Sequence, residues 1–256
     1  MRGLNGRGDR MHVQEKARSA ASASLSQQAY DILRIQILRG DLPLGTPLSR
    51  RKLAVRLSMS LLPVGEALQR LEAEGLVESR ARVGTRVRIP TEEDVTGHYI
   101  LREALETMSA RLYAERATEA DKAEMLALAI DLDRVYEKVS KCRGTELAQK
   151  LFEAHQTHSQ FHMRLAQRAR CQTLCDAIER NQTLVIAWLF SSHTQFYRLP
   201  ERWHIVLVEA LNQGDIKMAD RAMRKHVRFG VDQVSKRLAR LDVLLSDAEQ
   251  GFRVRG

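Results

Sequence analysis

The stretch "SMSLLPVGEALQRLEAEGL", residues 58–76, decides how this chain is built. Ser60 is of the residue type that caps a helix N-terminus, Pro63 falls in the first turn, where proline is tolerated, and Gly75 supplies a stop. The run between them is a helix with an odd leading edge. Gly65 lies inside it, where glycine costs roughly 1 kcal/mol against alanine, and Leu61 takes an exposed-looking position in the first turn.

Working outward, Ala29, Ile32, Leu33, Ile35, Ile37 and Leu38 recur at spacings of three and four, which predicts a helix from Leu25 to its stop at Gly40. "GDLPLGTPL" (40–48) is a turn-rich link. Ser49 caps a short basic helix, "RRKLAVRL", with Leu53, Ala54 and Leu57 facing inward. After Gly75, "LVESRARVGTRVRI" (76–89) alternates like two short strands around a turn at Gly84. Three helices followed by a β-hairpin is the order of a winged helix-turn-helix, here over residues 25–90.

Pro90 and Thr91 mark a boundary. Thr91-Glu92-Glu93-Asp94 resembles a capping box with Asp in place of Glu, and Thr118-Glu119-Ala120-Asp121 repeats the start signal. Amphipathic runs follow at about 119–141, 145–168, 172–190, 201–213 and 216–245. With no strand signal, residues 91–245 are expected to form an all-α antiparallel bundle. Residues 1–24 read as a disordered basic tail and 246–256 as a C-terminal tail.

Charge divides the chain in the same way. The net charge is +9; residues 1–24 hold five Lys/Arg against two Asp/Glu, residues 25–90 eleven against six, and residues 91–256 twenty-five against twenty-four. A basic front and a neutral back suggest different partners, the front one anionic. In a helix-turn-helix the second helix meets base edges while neighbouring cations hold phosphates. Arg50, Arg51, Lys52 and Arg56 precede the reading helix, and Arg80, Arg82, Arg86 and Arg88 lie in the hairpin. Ser60, Leu61 and Gly65 on the helix and Gly84 in the wing complete the expected surface for double-stranded DNA.

No apolar run reaches the length of a bilayer span and no signal-peptide segment is present, so a soluble cytoplasmic protein with no membrane partner is expected. Cys142, Cys171 and Cys175 form no metal or redox spacing, and an odd count suggests no disulfide framework.

Histidines are the informative residues of the second half. His158 and His162, four apart, project from one helical face that His155 shares, while His204 and His226 lie on the last two helices. Imidazoles converging from different helices of a bundle suit zinc, nickel and similar divalent ions. Spacing alone leaves open whether they converge or serve singly as polar surface or core residues. Arg102 is the candidate grip for a small carboxylate; the alternative is an intrahelical pair with Glu106.

Residues 25–90 resemble the DNA-binding domain of GntR-family bacterial transcription regulators, through the "ILRG" helix end, "L-x-x-x-x-L-A", "S-x-x-P-V-x-E-A-L-x-x-L-x-x-x-G-L-V" and the wing glycine. Such proteins usually begin the reading helix Ser-Arg-Thr-Pro-Val-Arg-Glu-Ala-Leu, and the resemblance implies that both arginines lie on DNA. Here those positions are Leu61 and Gly65. Of the family's DNA-contacting arginines the one matching Arg51 is present, and Arg50 replaces a common acidic residue.

The rest resembles the FCD ligand-binding domain of the FadR-type subfamily, through "REALE" (102–106), "HSQFH" (158–162) and "WHIVLVEALNQGDIKMADRAMRKH" (203–226). The resemblance implies a divalent-metal site at His158, His162, His204 and His226, with His158 where the family has aspartate, beside a pocket for a small carboxylate effector. Imidazole in place of carboxylate favours zinc, nickel or copper over manganese. Cys171 stands where the family often has asparagine.

The expected function is a homodimeric, ligand-responsive regulator binding a partly palindromic operator, and not an enzyme. Two other classes stay open on these residues: an architectural DNA binder with a degenerate sensor, and a metal-dependent hydrolase.

Overall fold

The computed structural model describes residues 24–81, 84–191 and 198–230. Arg82, the expected tails except Ser24, and residues 231–245 of the amphipathic run expected over 216–245 lie outside the described residues. The chain divides into two compact units at Ile89/Pro90.

In the first unit, α1 (residues 24–39) buries Ala29, Leu33 and Ile37 completely, as the three-four spacing requires. Gly40, at φ 77°, closes it. In α2 (Arg50–Leu57) the Ser49 side chain accepts from Lys52 N; Leu53 and Ala54 are buried and Leu57 is half-buried. Ser58, left-handed at φ 54°, makes the turn into α3 (Leu61–Ala73). Ser60 occupies the N-cap position, but its side chain makes no capping hydrogen bond. Val64, Ala67, Leu68 and Leu71 carry the buried face.

The wing pairs β1 (Val77–Arg80) with β2 (Gly84–Val87), antiparallel, with Val77 opposite Val87 and Glu78 opposite Arg86. Gly84 opens β2 at φ +104°, a conformation side chains resist. The 40–48 link does more than turn. Its backbone exchanges Gly45 N→Val87 O, Val87 N→Thr46 O and Leu48 N→Thr85 O bonds, so it lies along β2 and ties the wing to the helices. At Gly45 (φ +80°) a Cβ would stand 3.2 Å from Ile89 Cδ1.

The second unit is all helix: α4 (Glu92–Arg116), α5 (Glu119–Lys141), α6 (Gly144–Arg168), α7 (Gln172–Ser191), α8 (Trp203–Asn212) and α9, described over 216–230. Thr91/Asp94 and Thr118/Asp121 form full, reciprocal capping boxes. α5 packs on α6 and α8, and α4 on α6 and α7. Tyr113, Met125, Leu132, Phe161, Leu165, Leu211 and Met223 fill the core, and one histidine, His204, is equally inaccessible among them. All three cysteines are free, and Cys175 packs with Ala166 and Ile178. Among the described residues no helix is long and apolar enough to cross a membrane.

Candidate metal centre and DNA-reading surface

α6 places His158 and His162 one turn apart, α8 contributes His204 from its first turn, and α9 contributes His226. The structure brings these four together. His162 Nε2 lies 2.8 Å from His158 Nε2 and 3.2 Å from His226 Nε2, and the last two are 3.2 Å apart. The ligating nitrogens of His158, His204 and His226 all fall within 4.8 Å of one another; His162 joins the group through His158 and His226.

Three mutual Nε2 contacts cannot all be hydrogen bonds, because a ring N–H donates and has no lone pair in the ring plane to accept with. At least one contact sets like against like, two lone pairs or two N–H groups; with all three Nε2 deprotonated and turned to a cation between them, the conflict is removed. Nitrogens bound tetrahedrally at about 2.0–2.1 Å lie roughly 3.3 Å apart, close to the observed spacing. His204 Nε2 is buried without a hydrogen-bond partner. The donor set therefore fits a divalent ion.

Each ring is oriented by a neighbour. Asp133 of α5 accepts from the backbone N–H of His204 (3.2 Å) and Ile205 (3.1 Å), capping α8 from outside, and its Oδ1 is 2.6 Å from His204 Nδ1. A carboxylate only accepts, so Nδ1 carries the proton and Nε2 is left bare. Tyr136 Oη lies 3.2 Å from His158 Nδ1, and its ring stacks on His204. Glu106 Oε2 is 2.8 Å from His162 Nδ1, although the alignment is poor for a hydrogen bond. Trp203 stacks on His226.

Burial, then the neighbouring imidazoles and Arg102, hold His158 well below the ordinary imidazole range; burial, His162, His204 and Arg102 do the same to His226. Burial also lowers His204, against the opposing pull of Asp133. Neutral imidazole is the ligating form.

Arg102 stands at the edge of this centre with its side chain 11% exposed, and its Nε donates to Glu106 Oε1 at 2.8 Å. Burial acts to raise the Glu106 carboxyl, but Arg102 and His162 hold it down to about 2. Arg102, half-buried, thus leads through buried Glu106 to His162, a candidate ligand. Asp133 and Tyr136 also line a cleft of about 450 Å³ with Arg134, Arg198 and Arg202. A molecule there would touch the residues that orient two of the rings.

Nothing local in "DLDRVYEKV" marks Asp133 or Tyr136, and the local signal at Glu106 is only its helical spacing from Arg102. Their roles come from residues 71, 22 and 56 positions away.

In the first unit, Arg50, Arg51 and Lys52 fill the first turn of α2, all exposed, with no acidic residue there to complement the helix dipole. Cations at a helix N-terminus are each unfavourable by roughly 0.3–1 kcal/mol, and phosphate would remove that cost. Leu61 is 49% exposed. Gly65 is buried beneath the guanidinium of Arg50. Arg86 is engaged by Glu78, Nε to Oε1 at 2.5 Å, while Arg80 is 62% exposed beside the same carboxylate.

Residues 25–87 match the family "Bacterial regulatory proteins, gntR family", and residues 98–229 match the FCD domain. The chain is 30% identical over 215 residues to the "Probable D-xylose utilization operon transcriptional repressor" of Paenarthrobacter nicotinovorans, covering 80% of this chain and 86% of the relative. It is 28% identical over 206 residues to the HTH-type transcriptional repressor RspR of Escherichia coli K12, with the same coverage of each chain. The solved structure of E. coli McbR/YncC shares the fold, with a TM-score of 0.66 at 22% identity, covering 84% of this chain and 98% of that one. The family and these relatives are transcription regulators and not enzymes, which removes the hydrolase reading. A winged helix-turn-helix joined to an FCD domain, matched over most of its length, places this chain in the GntR family of bacterial transcription regulators.

Proposed function

We propose that this regulator is a cytoplasmic homodimer that represses from a partly palindromic DNA operator and is released by a small carboxylate effector sensed beside a bound divalent metal. The observation that carries this reading is the convergence of His158, His162, His204 and His226, with the bare His204 Nε2 buried at the centre. The four imidazoles would hold zinc or nickel, and the metal would supply a cationic point of attachment for the carboxylate. Asp133, Tyr136 and Glu106 keep the rings aimed. Arg102 would close on the effector from the side, exchanging part of its bond to Glu106 for one to the ligand.

Release follows if the effector binds the non-docking arrangement of the dimer more tightly. Two reading helices must reach grooves about 34–36 Å apart or a multiple of that, so a small tilt suffices. Coupling of this kind is typically 5–150-fold and is reciprocal. Elemental analysis of the purified chain tests the metal. Calorimetric titration with candidate carboxylic acids, with and without duplex from the chain's own upstream region, tests the coupling. Equal effector affinities in the two titrations would sink release by that acid. Leu61, Gly65 and His158, where the family carries two arginines and an aspartate, favour instead the architectural reading with a degenerate sensor; its signature is a metal-free chain, indifferent to every acid, that binds duplexes of all sequences alike.

A further inference from the structure

Gly65 is buried although it stands on the leading half of α3, beside exposed Leu61, Leu62 and Gln69. A side chain from another helix covers it. A Cβ at position 65 would lie 3.4 Å from Cζ and Nε of Arg50 and 3.5 Å from its Nη1. The guanidinium of Arg50 therefore lies across the stripe of α3 that begins at Leu61, four residues earlier. Arg50 is exposed and has no hydrogen-bond or ion-pair partner among the described residues, so its donors are uncommitted. A Cβ alone would touch the guanidinium at ordinary contact distance, whereas a side chain continuing beyond Cβ would compete with it for the same space.

We infer that Arg50 supplies from α2 the guanine-reading guanidinium that α3 lacks, and that Leu61 beside it reads a thymine methyl. This rests on the operator-reading role proposed above. The first half of the second helix is the part that meets base edges. There a planar guanidinium pairs bidentately with guanine O6 and N7, and an apolar side chain contacts the thymine methyl. The geometry puts both groups on one stripe, the cation held flat over Gly65 and the leucine at the helix start. The site read is a half-site holding a guanine with a thymine nearby.

The test selects preferred duplexes from a randomised pool with the full chain, then measures affinity for the best duplex and for versions with one guanine per half-site replaced. The wild-type chain should lose roughly 5- to 150-fold at one such guanine. Arg50→Ala should flatten that difference. Arg50→Lys should flatten it too, since an ammonium keeps the charge but lacks the fork. Gly65→Leu, which favours the helix but displaces the guanidinium, should behave as Arg50→Ala does. A guanine preference that survives in Arg50→Ala overturns the assignment. Survival in Arg50→Lys overturns it by making residue 50 a phosphate contact, and survival in Gly65→Leu by making the seat over Gly65 irrelevant. A wild-type chain that selects no duplex overturns the operator reading as well, which separates the two failures.

Discussion

Asp133 and His204 meet across the packing of α5 on α8, carboxylate Oδ1 to imidazole Nδ1, at 2.6 Å. The same carboxylate caps the backbone of α8, so one side chain fixes both where the helix starts and which nitrogen of its first-turn histidine is bare. Asp133→Ala should lower metal affinity roughly 10–100-fold and cost about 1 kcal/mol of stability from the lost cap. Competition against a chromophoric chelator and urea unfolding measure the two effects. Wild-type affinity in this variant would show that the ring needs no pin.

Bound metal should stabilise the helical domain by about 2.7 kcal/mol at a free concentration one hundred times Kd. Chelation should therefore lower the thermal midpoint of the wild-type chain. It should leave His162→Ala and His226→Ala unchanged, because those variants should carry no metal on elemental analysis. A midpoint indifferent to chelator in the reconstituted wild type would count against the site.

Glu106 is buried and Arg102, its side chain 11% exposed, covers it, so removing the arginine strands the carboxylate. Arg102→Met should destabilise by about 3–5 kcal/mol in urea unfolding. Arg102→Met combined with Glu106→Leu should recover most of that loss. If the single variant is harmless, Arg102 is not holding the carboxylate, and its role would lie with ligand alone.

Asp121 gives a pH signature away from the metal centre. The Thr118 backbone N–H and then the Arg170 guanidinium, against the opposing effect of burial, hold its carboxyl down to about 2. A depressed carboxylate stabilises the fold fully above its unfolded pKa, about 3.9, and the contribution is lost as pH falls through the folded value. Asp121→Asn should therefore cost about 1 kcal/mol at neutral pH. The gap to wild type should hold constant down to about pH 4 and close toward pH 2. Unfolding midpoints across that range check it, and a gap that widens at low pH would contradict the sign.

Arg51 should behave as a phosphate contact. Arg51→Ala should weaken binding to all duplexes alike and reduce the slope of log K against log salt by about 0.9. An unchanged slope would remove Arg51 from the DNA surface.

Much of this protein is written locally. Thr91 and Thr118 announce their helices because a cap needs only residues three positions apart. Gly40 and Gly75 stop theirs, and Gly84 opens the second wing strand, because positive φ suits glycine wherever the chain goes. The buried faces of α1 and α3 follow from helical periodicity alone. Such features make a winged helix-turn-helix and a helical bundle readable from one sequence. Tertiary structure alone decided that four histidines on three helices share a centre, that Asp133 sets the tautomer of a residue 71 positions away, and that Arg50 lies over Gly65. It also turned the 40–48 link into a partner of β2. No local propensity encodes these relationships, because each depends on how helices pack, and packing is set by the summed fit of side chains distant in sequence.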